Sequence, residues 1–238
     1  MRFNTIIATT GKSLARARRA AGGAWSLETL LAGTKVNCFA ALRHDPNVVY
    51  AGTQGNGVLR SEDWGKTWRP CGMKGQVVKS LAVSAGQADV LYAGTKPPAV
   101  FVSCDGGETW SELESFRHMR RPSWHTPAEP GDPYVLGLAV SPADPNVIIA
   151  GVELGAMLRS ADGGKTWQGH LKGTSRDCHS LIFHASDGNW AYQGGGGWPA
   201  AVSRARRCPT CWSWAGSIWR SATWSAPSRP CSAASPGR

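Results

Sequence analysis

Residues 160–167 read "SADGGKTW", and two close relatives stand earlier in the chain, "SEDWGKTW" at 61–68 and "SCDGGETW" at 103–110. Their closing tryptophans, Trp68, Trp110 and Trp167, are 42 and 57 residues apart. Each motif ends a longer repeated segment. These are "CFAALRHDPNVVYAGTQGNGVLRSEDWGKTW" (38–68), "KSLAVSAGQADVLYAGTKPPAVFVSCDGGETW" (79–110) and "LGLAVSPADPNVIIAGVELGAMLRSADGGKTW" (136–167). A fourth copy begins as "HSLIFHASDGNWAYQGGGGWPAAVS" (179–203), and "TIIATTGKSLARARRAAGGAW" (5–25) keeps the strands, the glycines and the Trp but has lost the Asp.

The copies share one internal order. A short apolar run leads to a polar turn such as Asp-Pro-Asn, and an alternating run and a Gly-rich break follow. A third run then enters the Asp motif, and Thr-Trp opens a fourth. Four short strands in a period of about 42 residues are the pattern of a β-propeller blade. No segment holds a 3.6-residue apolar period, which disfavours stacked helical repeats. The expected fold is all-β: a β-propeller of four-stranded blades, about four to five of them, in an open, incomplete ring. Residues 1–203 are read as blades (5–25 degenerate, 36–68, 77–110, 135–167 and 179–203 partial), and 204–238 as a non-repeat tail.

The pattern Ser-x-Asp-x-Gly-x-Thr-Trp, once per blade, resembles the Asp-box (BNR) repeat of the sialidase superfamily. It also resembles related propellers: xyloglucan-cleaving glycosidases, sortilin-type receptors and photosystem II assembly factors. The wording "PNVVYAGT…GVLRSEDWGKTW" is most similar to glycosyl-hydrolase-like members. The resemblance covers residues 5–203 and implies the propeller fold. For function it implies a mixture of glycosidases, receptors and assembly factors, since one fold hosts many activities. The superfamily's arginine triad, its Tyr–Glu nucleophile pair and its "RIP" motif are not recognisable here.

Whether the repeated Asp is chemical or structural follows from what each motif residue does in a tight turn. Asp accepts hydrogen bonds from backbone N–H groups a few residues on. Gly65, Gly107 and Gly164 suit a left-handed backbone position. Ser61, Ser103 and Ser160 add a second side-chain contact, and Thr67, Thr109 and Thr166 open the next strand with Trp68, Trp110 and Trp167, whose rings offer large apolar faces. A reaction needs its Asp once, whereas a fold built of repeats needs it in every copy. Asp63, Asp105 and Asp162 are therefore expected to hold turns.

Chemistry is expected at the opposite end of the blades, where the second strand joins the third and the fourth joins the next blade. One such connection, "ELESFRHMRRPSWHTPAEPGDP" (112–133), is about 15 residues longer than its counterpart and accounts for the 57-residue interval. Its Arg117, Arg120, Arg121, Trp124 and His125 form a candidate surface for a sugar or an anionic ligand. The next connection, "GTSRDCHS" (173–180), adds Arg176, Asp177 and His179. Glu153 stands where the earlier copies carry an uncharged residue or Lys. Glu153 with Asp177 is the candidate catalytic pair, one acid and one base or nucleophile, for glycoside hydrolysis. The competing reading is an ordinary surface Arg–Asp pair and a solvated Glu.

Composition narrows the partners. Of the net charge of +10, +6 falls in residues 198–238, which hold six Arg and no acid, leaving +4 for the rest. Nucleic-acid binding needs basic residues clustered on one folded face, so it is not expected. Expected partners are a carbohydrate, an anionic ligand or a protein. No stretch is long and apolar enough to span a membrane. The seven cysteines are isolated apart from Cys208 and Cys211, a lone CPTC pair with no second pair at ligand spacing. No metal or cofactor is expected, and the cysteine usage with no secretory signal points to the cytoplasm. After Ser203 the repeat stops, and five Trp and three Cys follow residue 197 without one acid. That mixture is what a GC-rich gene gives when read out of frame, so a frameshift near residues 197–205 is expected. The functional expectation is a binding or scaffold protein, or an inactive fragment, rather than an enzyme. The alternatives are an exo-glycosidase and an assembly factor.

Overall fold

The structure, a computed structural model, describes residues 4–87, 89–126, 131–185, 187–188 and 190–195, with the backbone alone of 211–214 and 216–220. Five antiparallel sheets follow one another along the chain. The first contains β1 (Thr5–Thr9), β2 (Leu14–Arg19) and β3 (Trp25–Leu30). The second contains β4 (Val36–Ala41), β5 (Val49–Thr53), β6 (Val58–Ser61) and β7 (Arg69–Pro70). The third contains β8 (Val77–Val83), β9 (Leu91–Lys96), β10 (Val100–Ser103) and β11 (Ser111–Glu112). The fourth contains β12 (Val135–Val140), β13 (Ile148–Val152) and β14 (Met157–Ser160), with its fourth strand reduced to a single bridge between Arg159 and Gln168. The fifth contains β15 (Ser180–Phe183), β16 (Trp190–Gly194), β17 (Cys211–Trp214) and β18 (Gly216–Arg220). Its order is β15-β16-β18-β17, so the later strand of the final hairpin pairs with β16. The rest of the tail at 204–238 lies outside the described residues.

The sheets stack through their first strands, β4 on β8, β8 on β12 and β12 on β15. β1 meets β4 as β5 meets β8 and β9 meets β12, so the first sheet presents its second, third and fourth strands. The cores lie between sheets. One gathers Tyr50, Val58, Cys71, Val78, Leu81 and Leu91 between the second and third, another Tyr92, Val100, Val135, Ile148 and Leu158 between the third and fourth. Alternation along each strand gives both faces apolar residues, which is why β5, β9 and β13 are buried almost throughout.

The three aspartate turns have one geometry. Asp63 Oδ1 accepts the Lys66 and Thr67 N–H groups at 2.9 Å each, and Thr67 Oγ1 donates to Oδ2 at 2.7 Å. The Ser61 hydroxyl donates to Asp63 and accepts the Gly65 N–H, both at 2.8 Å. Ser103–Asp105–Thr109 and Ser160–Asp162–Thr166 repeat the set. Gly65, Gly107 and Gly164 have φ of 79°, 96° and 90°. Trp110 Nε1 donates to Gly107 O and to Cys71 O of the preceding sheet, so this turn also grips its neighbour. Buried Arg16 does the same from the first sheet, donating to Trp64 O at 2.8 Å.

These bonds make stability depend on acid. Asp63 is held at about 2 rather than 3.8, chiefly by the Thr67 N–H and then the Thr67 hydroxyl. At Asp105 and Asp162 burial pushes upward, but the bonds from Thr109 and Thr166 outweigh it and both carboxyls are lowered. A carboxyl lowered by folding contributes stability that is whole above its unfolded pKa and disappears as pH falls through its folded one. The turns' contribution is therefore expected to vanish between about pH 4 and about pH 2. Urea midpoints across that range check it, and Asp63→Asn is expected to flatten the slope. An identical slope in the variant would refute the account.

Among the cysteines, Cys38, Cys71 and Cys178 are free and Cys104 is disulfide-bonded. The isolation read from their spacing therefore does not hold at Cys104, and the cysteines are no argument for a reducing compartment. No described helix is long and apolar enough to cross a membrane.

Candidate functional site

The end of the sheets away from the aspartate turns is shaped by a repeated irregularity. β4, β8 and β12 each carry a β-bulge near their start, between Val36 and Cys38, Val78 and Ser80, and Val135 and Gly137. A bulge adds one residue against the partner strand and re-aims its side chain. The extra residues are Asn37, Lys79 and Leu136, and His179 takes the matching place before β15, its N–H bonded to Gly194 O. Opposite them stand Lys96, the last residue of β9, and Gln54 and Glu153, the residues just past β5 and β13. A polar row results. Asn37 and Lys79 donate to Gln54 Oε1 at 3.2 and 3.4 Å, and the Lys79 and Lys96 ammoniums stand 5.1 and 5.7 Å from the Tyr134 ring centre.

Glu153, Asp177 and His179 converge at the end of this row. One ligating atom from each lies within 4.8 Å of the other two. Asp177 and His179, two apart before β15, bring Oδ1 and Nε2 to 3.1 Å of each other, and Cys178 between them turns the other way. The Cys178 sulfur sits over Gly137 and Gly151, where an added Cβ would come within 2.6 and 2.2 Å of it. Burial, then the neighbouring Asp177 charge, pushes that thiol up to about 12, so it is inert. Asp177 is also fixed by its backbone, through Ser175 Oγ to its N–H and Gln193 Nε2 to its carbonyl. Glu153, 7% exposed, accepts the Thr126 hydroxyl at 3.2 Å. Tyr134 also donates to Glu153; burial and then that bond raise its hydroxyl to about 12. A phenol so raised is a hydrogen-bond donor and not a nucleophile at neutral pH.

The remaining candidates fall elsewhere. Arg117 pairs with Glu112, its Nε at 2.8 Å, and Arg120 pairs with Asp132. Arg121 is exposed near the His118 carbonyl, and His125 faces solvent with Nδ1 3.1 Å from Ser123 O. Trp124 is 6% exposed and lies in the core with Phe116 and Ala156, so the expectation that it offers a sugar platform is corrected by its burial. Arg176 donates to Gly155 O at 3.0 Å and braces the turn after Glu153. Cys208 lies outside the described residues. The long connection instead reaches the site through Thr126, which its sequence does not announce. Tyr134, Lys79 and Lys96 were also missed. Their shared signal is position at the bulged end, since Tyr134 adjoins β12, Lys96 ends β9 and Lys79 is the bulge residue of β8.

No protein-family model and no curated protein matches the chain. Solved structures do. The chain is similar to an ancestral GH74 enzyme at 23% identity and a TM-score of 0.52, over 67% of this chain and 21% of that one. It is similar to the GH74 enzyme of Niastella koreensis at 18% identity and a TM-score of 0.54, over 80% of this chain and 33% of that one. A chain of the COPII outer coat vertex on membranes is similar at 14% identity and a TM-score of 0.50, over 81% of this chain and 58% of that one. The chain spans less than two thirds of each. At these identities the likeness is one of fold, and with five stacked antiparallel sheets it makes this chain an incomplete β-propeller.

Proposed function

We propose that the chain is a binding module of the glycosyl-hydrolase-like Asp-box type, which takes carbohydrate on the bulged end of its sheets without cleaving it. The observation that carries this reading is the convergence of Glu153, Asp177 and His179 beside the polar row of Gln54, Lys79, Lys96 and Tyr134. Carboxylates and amides accept from sugar hydroxyls, and ammonium groups donate to sugar oxygens, so the row offers both halves of the recognition. Binding is favoured over hydrolysis because Glu153 is buried and already accepts from Thr126 and Tyr134.

The test is calorimetric titration of the chain with cellotetraose and a xyloglucan heptasaccharide. Saturable binding that weakens tenfold or more in Asp177→Asn and in Lys79→Ala is expected. Absence of binding to both sugars, or variants that bind as the parent does, would sink the reading.

A second reading, glycoside hydrolysis, is favoured by the Glu153–Asp177 proximity itself, since retaining enzymes hold their carboxyl groups about 5 Å apart. Release of reducing ends from xyloglucan, lost in Asp177→Asn, would establish it. The assembly-factor reading needs a basic face built from Arg117, Arg120, Arg121 and Arg176, and two of these, Arg117 and Arg120, are instead paired with Glu112 and Asp132.

A further inference from the structure

We propose that Glu153, Asp177 and His179 form a site for one divalent metal ion of the kind that accepts mixed carboxylate and imidazole ligands, Mn2+ or Zn2+. Metal–ligand bonds of about 2.0–2.3 Å bring ligand atoms to within about 4.5 Å of one another. The three side chains already stand at that scale, with one oxygen or nitrogen from each inside 4.8 Å. The set is a carboxylate from the fourth sheet facing a carboxylate and an imidazole from the approach to the fifth. An ion there would bridge two sheets.

A second observation points to a missing cation. Asp177 Oδ1 is shut off from solvent and receives no hydrogen bond from the described protein. Its near neighbour is His179 Nε2 at 3.1 Å, the spacing of two adjacent ligands on one ion. When His179 Nε2 carries no hydrogen, that buried carboxylate oxygen has no donor, which is costly, and a metal ion bound between the two removes that cost directly.

The surroundings support the ligands as such sites require. Thr126 and Tyr134 fix the Glu153 carboxylate. Gln193 and Ser175 fix the Asp177 backbone, and Gly194 O holds that of His179. Cys178 anchors the Asp-x-His segment by filling the space above Gly137 and Gly151, which points its sulfur away from the ligands. His179 is 50% exposed, so an ion has a path from solvent and keeps open positions for water or for the hydroxyls of a bound molecule. Two carboxylates and one imidazole are too few and too nitrogen-bearing for a Ca2+ cage of six to eight oxygens. The sequence expectation of no metal rested on cysteine pairing, and these ligands come from separate sheets with no pairing signal.

This inference deepens the carbohydrate-binding reading and rests on it for the ion's purpose, but ion binding is read without sugar. Chelator-stripped full chain is titrated with Mn2+ alone, followed by calorimetry and by the loss of free-ion electron paramagnetic resonance signal. One Mn2+ per chain is expected, with affinity reduced tenfold or more in Asp177→Asn and in His179→Ala. His179 is half exposed, so its variant keeps the test valid if Asp177→Asn fails to fold. Zn2+ is titrated in parallel on Cys208→Ser/Cys211→Ser, where one ion per chain is expected to persist. No Mn2+ binding, or binding unchanged in His179→Ala, overturns the proposal, as does Zn2+ binding abolished by the cysteine changes. Sugar binding by a chain that takes up no Mn2+ would leave the carbohydrate reading standing while this one fell.

Discussion

Gly94→Ala is expected to destabilise the chain by about 3 kcal/mol, seen as a lowered urea midpoint with an unchanged slope. The added methyl would come 2.4 Å from Ser80 Oγ and 2.6 and 2.7 Å from Val135 Cγ1 and Cβ. None of these atoms can yield cheaply. Ser80 Oγ makes a buried 2.7 Å hydrogen bond to Val135 O, and Val135 is fully buried at the first bulge pair of β12. The same interlock recurs where Gly52 faces Cys38 and Val78, and where Gly151 faces Cys178. Glycine at this place in the second strand lets the next sheet's first strand approach, so these glycines set the sheet spacing. Gly86→Ala is the control, because its methyl would meet only Pro145, at 3.6 Å or more. Equal stability of the two variants would refute the interlock. Because Val135 adjoins Tyr134, Gly94→Ala is also expected to weaken Mn2+ binding although it touches no ligand.

What could be read from sequence depended on repetition. Ser-x-Asp-x-Gly-x-Thr-Trp occurs three times, so chance is discounted and the hairpin, the four-strand order and the stacking of sheets follow from one physical unit. Glu153 stood out by the same comparison, as a carboxylate where Gln54 and Lys96 are found, and Asp177 and His179 by their place on a connection at the end opposite the aspartate turns. Features that occur once escaped. Thr126 and Tyr134 act only through the fold, which brings residues 126 and 153 together. Trp124 was misjudged because an aromatic in an arginine-rich loop has no period to show which way it faces. The final hairpin β17–β18 likewise has no repeat to announce it.

Phe116→Ala is expected to cost about 3–5 kcal/mol, although residue 116 lies in the long connection between β11 and β12. The connection reads as a solvated lid: four prolines, three arginines and two histidines in 22 residues. Its arginines and histidines are exposed, but Phe116, Trp124 and Thr126 are buried. Phe116, on the single turn of helix α1 (Glu114–Arg117), is 1% exposed. Its ring meets Trp167 edge-on at 5.2 Å and Trp124 at 6.4 Å. Ser115 Oγ donates to Gly164 O at 2.5 Å, and Leu113 fills the space beside Gly164. The insertion thus wedges beneath the fourth sheet's aspartate turn, where Cys71 lies beneath Trp110 in the third. Truncating a buried aromatic loses its transfer energy and leaves a cavity that the two tryptophans cannot both fill. Phe116→Leu keeps most of the volume and is expected to cost about 1.5 kcal/mol. A mobile lid would show neither loss, so a Phe116→Ala midpoint within experimental error of the parent would end this account. The wedge also holds Trp124 and, two residues on, Thr126 against Glu153. Loosening it is therefore expected to lower Mn2+ affinity in Phe116→Ala, while Arg120→Ala, on the outer side of the same connection, leaves that affinity unchanged.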